Sequence, residues 1–432
     1  MQVLETLPAP GHYWLAYSGG MDSTALLSIL AAHRDRLPAE LVAVHVNHQL
    51  STNAGHWEEH CRAFCRAQGV RYESVTVNAR AERLDSPEAH ARELRYAALE
   101  KFMQEDDILL TAHHRDDLAE TFIQQLMRGS GPEGLSAIPV TRRCGKGWLV
   151  RPLLEFARME IEDYVREQGL TWVEDESNID QGIDRNFIRN TIMPAFRERW
   201  PAAADVLWRA SRVQADAVTV MADMAGQDLH AALGAADNVL HLSVIRVLSL
   251  PRQRNLLRYW IRKNGHPVPG MNVIDEIINE LLCARPDSMP CVKWEDTEIR
   301  RYRDEVYLLP TVTDVPSGPY IWSLDQPLEL DGGQLEAGVT IGSGIRVNQV
   351  PDKKVEVRFR TGGESIRPAG RRETHDLKKL FQESAVPPWM RNRIPLVYIG
   401  NELAAVAGYW IADGFKATGS EQGWEIVYVE KK

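Results

Sequence analysis

Nowhere in the 432 residues does an apolar run approach the length of a membrane span, and no basic stretch followed by an apolar one opens the chain. The expectation is a cytoplasmic protein with no membrane partner. Five cysteines (Cys61, Cys65, Cys144, Cys283, Cys291) form no C-x-x-C pair, which leaves neither a zinc site nor a disulfide framework to expect. Positive charge is in deficit: 50 Lys and Arg against 60 Asp and Glu give a formal net charge of −10. That excludes a protein that coats nucleic acid indiscriminately, but not one that grips a particular RNA with local basic patches. A Gly-Lys-Ser/Thr ending is missing from the N-terminal glycine loop, so no Walker-type lysine draws charge off a γ-phosphate.

The stretch Ser18-Gly19-Gly20-Met21-Asp22-Ser23 organises what is present. It follows the apolar run Tyr13 to Tyr17, read as a buried strand, and leads into Thr24 to Leu30, read as a helix on a sheet. Two glycines allow a tight turn and close approach of a ligand. The free N–H groups of the helix start favour an anion such as phosphate. Asp22 inside that cradle makes sense with Mg²⁺ between carboxylate and phosphate.

Strands at Leu41–Val46, Tyr72–Val77 and Ile108–Thr111 alternate with helices at about 56–68, 86–104 and 116–128. The alternation predicts an α/β doubly wound parallel sheet, with ligands at the carboxyl ends of its strands. Ser18, His45-Val46-Asn47-His48 and Thr111-Ala112-His113-His114 fall at those ends. Asp116, Asp117 and Glu120 lie in the first turns of the next helix, where capping, metal ligation and general-base work are all open. Arg92 and Arg95 share a helix face, either solvated or placed to neutralise a phosphate. Further on come Arg128-Gly129-Ser130-Gly131, Arg151-Pro152-Leu153-Leu154, Glu174-Asp175-Glu176-Ser177-Asn178 and Arg185-Asn186-Phe187-Ile188-Arg189. The last two belong to a polar stretch with little to bury, often functional in a compact domain.

In these stretches, in this order, the first half of the chain resembles the tRNA(Ile)-lysidine synthase family of N-type ATP pyrophosphatases (the PP-loop superfamily). The loop alone also fits thiouridine, GMP, NAD and argininosuccinate synthetases. Glu174-Asp175-x-Ser177-Asn178 with Arg185-Asn186-x-Ile188-Arg189 is more selective. Leu118, where the family most often has Gln, and Ser51, where Arg is common, depart from the pattern beside the motifs. The resemblance implies ATP and Mg²⁺, free L-lysine, and isoleucine tRNA with a CAU anticodon. ATP adenylates the 2-carbonyl oxygen of the wobble cytosine, and the lysine ε-amine then displaces AMP. Carried over by motif, Ser18, Gly19, Gly20, Met21, Asp22, Ser23, His45 and His113 bind ATP, and Asp22 and Asp117 hold Mg²⁺. Asp22, Arg95, Asp117 and Glu120 are catalytic. Arg95 faces the α-phosphate, and Asp117 and Glu120 are candidates to deprotonate lysine or pair with its ammonium. Arg128, Arg185, Asn186 and Arg189 are expected on the tRNA.

Length predicts more than one domain: a catalytic domain at 1–215, a helical substrate-binding domain at 216–311, a linker at 312–351, and a mostly antiparallel β (α+β) domain at 352–432. A long helix is expected over about 200–233. Arg254, Arg258 and Arg262 recur every four residues as a basic stripe, either solvated or lying on RNA phosphates. Residues 352–393 carry eleven Lys and Arg against six Asp and Glu, a local +5. There Lys378-Lys379-Leu380-Phe381 and Trp389-Met390-Arg391 set aromatics among basic residues, a combination that suits RNA. The resemblance extends here to the longer form of the synthase, with C-terminal tRNA-binding domains. No protein partner is evident. A tRNA thiolase needs a sulfur-carrying cysteine or an iron–sulfur site, which the cysteine spacing does not offer. A small-molecule amide ligase has no use for a basic C-terminal domain. An RNA-binding module with a merely structural nucleotide site stays open.

Overall fold

Strand β1 (His12–Ala16) is apolar throughout its middle because both of its faces are covered. The computed structural model describes residues 2–49, 53–78, 87–174, 176, 180, 182–282, 284–285, 288–311, 318–330 and 333–430. They divide into two units, 1–225 and 226–432. The division falls inside one helix, Ala203–Ala232.

In the first unit, strands β1, β2 (Glu40–Asn47), β3 (Arg71–Thr76), β4 (Ile108–Leu110), β5 (Thr141–Cys144) and β6 (Gly147–Val150) form one sheet of order β3-β2-β1-β4-β6-β5. All neighbours are parallel except the edge pair β5–β6. The helices are α1 (Gln2–Glu5), α2 (Met21–Ala32), α3 (Ala54–Gln68), α4 (Pro87–Glu100), α5 (Arg115–Met127), α6 (Pro132–Leu135), α7 (Arg158–Glu167), α8 (Asp184–Phe187), α9 (Met193–Arg199) and α10 (Ala203–Ala232). The expected doubly wound sheet is therefore present. Tyr13, Leu15, Leu26, Leu27 and Ile161 pack on one face, and Trp14, Val42, Leu99 and Leu149 on the other. The chain builds outward from β1 to β3 and then returns to β4 on β1's other side. That reversal opens a crevice at the carboxyl ends of β1 and β4, where such sheets bind ligands.

The second unit starts with α11 (Leu242–Arg246), α12 (Leu250–Lys263) and α13 (Met271–Ile277). These pack on a four-stranded antiparallel sheet that the sequence reading did not anticipate. Its strands are β7 (Val239–His241), β8 (Cys291–Trp294), β9 (Thr297–Tyr302) and β10 (Glu305–Pro310), in the order β7-β10-β9-β8. Within the stretch expected to be a linker at 312–351, the described residues 318–330 and 333–351 are instead structural. They supply β11 (Tyr320–Ser323), β12 (Leu328–Leu330), β13 (Gly333–Ile341) and β14 (Ile345–Arg346). β11 pairs with β15 (Lys354–Arg358), and β13 with the last strand. Their turn residues mark tight reversals between short strands rather than free chain. The remaining elements are β16 (Ser365–Ile366), β17 (His375–Asp376), α14 (Leu377–Glu383), α15 (Pro388–Arg391), β18 (Leu396–Ile399), β19 (Glu402–Val406), β20 (Trp410–Ile411) and β21 (Gln422–Glu430). Gly400 and Asn401 make the β18–β19 turn. Among the described residues no helix is long and apolar enough to cross a membrane.

Asp107 ties β1 to β4. Its fully buried carboxylate accepts from His12 N (2.8 Å), Trp14 Nε1 (2.8 Å) and Gln104 N (2.9 Å). Burial raises its pKa, but the Gln104, Trp14 and His12 bonds outweigh it and hold the group below the usual carboxylate range. Asp107→Asn points an amide donor at donors. It should cost about 2 kcal/mol in urea unfolding, since a buried donor is left without an acceptor; a midpoint equal to wild type would remove this clamp from the account.

Candidate active site

The loop after β1 is held from below. Gly19 adopts φ +83°, and a Cβ there would lie 2.7 Å from the buried Cys61 Sγ. Gly19 O accepts from Val173 N (2.9 Å) and Thr24 Oγ1 (3.3 Å). Ser18 Oγ accepts from Gly20 N (3.3 Å) and lies 3.1 Å from Ser23 Oγ. Gly20 is the residue before the first turn of α2, so the N–H groups of that turn face the loop. Asp22 stands in that turn with its Oδ1 buried and without a hydrogen-bond partner. Burial, reinforced by the nearby Asp117 charge, raises its pKa.

At the start of α5, His114 caps the helix. Its Nδ1 accepts from Asp117 N (3.3 Å), and Asp117 Oδ2 accepts from His114 N (3.0 Å). Because Nδ1 accepts, Nε2 is the ring nitrogen that carries a proton. Nε2 lies 3.3 Å from Asp117 Oδ2 and 3.7 Å from Asp22 Oδ2. One imidazole thus spans the loop and the helix.

Behind it sits a four-charge network. Arg185 donates from Nη2 to Asp117 Oδ1 (2.8 Å) and from Nε to Glu120 Oε2 (3.1 Å). Arg189 donates from Nη2 to Asp117 Oδ1 (2.9 Å) and Glu120 Oε2 (2.8 Å), and from Nε to Glu120 Oε1 (2.7 Å). Asp117 and Glu120 are both buried. Burial alone would raise the Asp117 pKa, but His114, Arg185, His113 and Arg189 outweigh it and hold the group well below the carboxylate range. Arg189 lies in a π-turn, Ile188–Ile192, a widened turn of the kind found at functional sites. Asp116 faces elsewhere, accepting from Arg158 N (2.8 Å) and pairing with Arg197.

Three histidines around the crevice, His45, His48 and His113, are pushed below the ordinary imidazole value. Burial is the main cause in each case. His113, bonded to Thr111 Oγ1 (3.0 Å), is lowered to about 3, and His48 to about 4 with help from Arg95 and His45. His45 donates from Nδ1 to Tyr17 O (3.0 Å) and is also lowered.

Comparison with known proteins follows this geometry closely. Residues 2–196 match the PP-loop domain family, 240–307 the TilS substrate binding domain and 355–428 the TilS substrate C-terminal domain. The tRNA(Ile)-lysidine synthase of Coxiella burnetii is 39% identical over 429 residues, covering 99% of this chain and 95% of that protein. The Methylococcus capsulatus protein of the same name is 41% identical, with 93% of each chain covered. That of Legionella pneumophila strain Paris is 36% identical, covering 96% of this chain and 94% of its own. The chain belongs to the tRNA(Ile)-lysidine synthase family.

Within this synthase fold, the expected nucleotide residues Ser18 to Ser23, His45 and His113 gather at the ends of adjacent strands. Arg95 is exposed on α4, near enough to His48 to lower its pKa. Several residues expected on tRNA are placed otherwise. Arg185 and Arg189 turn inward to the two acids, and Asn186 is buried, donating to Asp180 O (2.9 Å). Arg254 pairs with Asp275 (2.7 Å) and Arg258 donates to Pro269 O (3.4 Å), so two members of the expected stripe have partners within their own unit. Arg391 is buried and donates to Val386 O (2.9 Å) and Tyr302 Oη (3.2 Å). Leu380 and Phe381 are fully buried, and Trp389 packs edge-on against Tyr302 and Tyr307. Only Lys378 and Lys379 of that motif face solvent, because α14 is amphipathic. Arg128 is exposed at the end of α5. Of the selective motif, Asp175, Ser177 and Asn178 lie outside the described residues; Glu174 is exposed. Asp117, expected to hold Mg²⁺, has both oxygens engaged, by the two arginines and by His114. The bridging role of His114 was missed, although its position three residues before Asp117 is the spacing of a capping box.

Two outcomes follow from this arrangement. Gly19→Ala forces a side chain into a left-handed backbone and onto Cys61, so ATP binding should weaken at least tenfold in calorimetric titration while the circular dichroism spectrum stays native. His48 and His113 stay unprotonated when folded but take up protons when unfolded. Stability should therefore fall as pH drops from about 6.5 toward 4. His48→Gln should flatten the measured slope in that window and leave the loss below about pH 4, which belongs to carboxylates, unchanged.

Proposed function

We propose that this chain uses ATP to attach free L-lysine to carbon 2 of the wobble cytidine of a CAU-anticodon isoleucine tRNA, releasing pyrophosphate and AMP. As a member of its family it is a ligase that forms a C–N bond and consumes ATP. The observation that carries the detailed reading is the position of His114, between the loop carboxylate Asp22 and the Asp117–Glu120 pair. Its closeness to both acids supports adenylation at the loop and amine binding at the pair as neighbouring events.

The residues divide the work. The α2 N-terminus and the Ser18–Ser23 loop hold the pyrophosphate that leaves. Asp22 fits a cation, because its Oδ1 is buried without a partner, and Mg²⁺ is commonly bound by one or two carboxylates together with phosphate oxygens. Bound there, Mg²⁺ would offset the phosphate charge. Arg95 is assigned to the α-phosphate. Asp117 and Glu120, interleaved with Arg185 and Arg189, form a mixed-charge surface complementary to a zwitterionic amino acid. The acids suit an ammonium and the guanidiniums a carboxylate. Asp117, held well below the usual carboxylate range by His114 and the two arginines, is ionised and suited to pair with the lysine ammonium. Lys378, Lys379 and Arg128 are the exposed cations we assign to tRNA contact. Work on tRNA fits a cytoplasmic enzyme. Sulfur transfer is not favoured: burial pushes Cys61 and Cys65 up to about 12 and Cys144 to about 11, leaving no thiolate at the loop.

The deciding assay is AMP release from ATP with lysine and a CAU-anticodon isoleucine tRNA transcript, omitting each in turn, together with incorporation of radioactive lysine into RNA. Incorporation should require all three, and Asp117→Asn should lose at least 100-fold in turnover while tRNA affinity stays within a few fold. AMP formed without tRNA would sink the reading in favour of a small-molecule ligase.

A further inference from the structure

The motif Arg151-Pro152-Leu153-Leu154 takes no part in the chemistry above, yet its arginine is unusually placed. Arg151 follows β6 directly and is 3% exposed. Its Nη1 donates to Pro139 O (2.6 Å), while its Nε–H is buried with no acceptor. Among the described residues no carboxylate forms an ion pair with it. Two further guanidiniums flank its neighbour Tyr96: the Cζ atoms of Arg92 and Arg142 lie 5.5 Å and 5.1 Å from the ring centroid. Neither has a carboxylate partner among the described residues. Burial lowers the Arg151 pKa, and the like charges of Arg142 and Arg92 lower it further against the opposing effect of Tyr96. Sinking a cation without a counter-charge costs several kcal/mol. Three converging arginines without an acid are therefore an incomplete site, and the missing component is an anion.

Sheet order shows which anion. Adenosine is expected over the ends of β1 and β2, where His45 stands, and the pyrophosphate over the start of α2. The arginine group lies at β6, on the side of β4 away from β1 and β2. It is still near the reaction crevice, because Arg151 and Arg92 both act on His113 at the end of β4. We propose that Arg92, Arg142 and Arg151, gathered around Tyr96, form a phosphate site for a backbone phosphodiester of the RNA strand beside the target cytidine. It rests on the RNA substrate assigned above. A guanidinium trio there fixes the register of the strand without reading its sequence, and leaves the base free to enter the crevice.

The test uses the full-length enzyme. Arg142 is exposed and Arg92 half-buried, so Arg142→Ala and Arg92→Ala can be made without emptying the core. Filter binding of the tRNA transcript across a salt series is measured for wild type and both variants. ATP affinity and lysine incorporation are measured in parallel. Each variant should bind tRNA about tenfold more weakly, the size of one charge-assisted hydrogen bond, with a salt slope smaller by about 0.7 to 1 and ATP affinity within twofold. A transcript with one neutral methylphosphonate beside the target cytidine should bind wild type about tenfold more weakly and lose nothing further with Arg142→Ala, as expected of two halves of one contact. Unchanged tRNA affinity in both variants overturns the site while leaving the synthase reading intact. A fall in ATP affinity instead assigns the arginines to a nucleotide phosphate and also overturns it. Absence of lysine incorporation by wild type counts against the function, whereas the binding series still decides the phosphate site.

Discussion

Two carboxylates and two guanidiniums, interleaved over five hydrogen bonds at the start of α5, constrain everything around them. Burying Asp117 or Glu120 alone would be prohibitive, and the planar forks of Arg185 and Arg189 offset that cost by bonding both acids at once. The four groups then have to be delivered together. α5 presents the acids one turn apart at its positive end, where its dipole favours them. The chain must travel 65 residues or more before it returns with the arginines. On the way it passes Val173, whose N–H backs Gly19.

The same network fixes the nucleotide side. Asp117 cannot move without His114, which it caps and by which it is capped, and His114 reaches Asp22 across the crevice. Parallel register places these parts: β1 and β4 are neighbours, with Tyr13 opposite Ile108, so the loop after one strand and the helix after the other begin side by side. Catalytic proximity here is a consequence of adjacent strands in a doubly wound sheet. The loop needs its own backing, and Cys61 supplies it as a small buried group under a glycine whose backbone no other residue adopts without strain.

Much of the catalytic half was legible in the sequence. Runs such as Leu41 to Val44 are apolar on successive residues, as a strand covered on both faces requires. Gly19 and Gly20 announce a tight turn, and the acids after His114 announce a helix start. The second unit was harder to read. Pro, Gly and Asp mark reversals whether the chain between them is free or folded, so the strands within 320–346 looked like a linker. Alternation in β13 becomes informative only once its partner β21, more than 80 residues away, is in place. The four-stranded sheet β7-β10-β9-β8 was missed although its β8–β9 and β9–β10 pairs are local hairpins.

Charge shows the boundary most plainly. The sequence by itself determined which residues carry charge, their spacing along helices, and that a phosphate-binding loop stands beside an acid-rich helix start, because these are local properties of backbone and side chain. It did not determine what each charge faces. Arg185, Arg254 and Arg391 read alike as candidates for RNA. Yet one closes an acid pair in the crevice, one pairs with Asp275 and one is buried against Tyr302, whereas Lys378 stays in solvent. Only the tertiary structure decided among these fates, because a guanidinium's partner is chosen by which distant segment folds against it, and sequence periodicity carries no record of that.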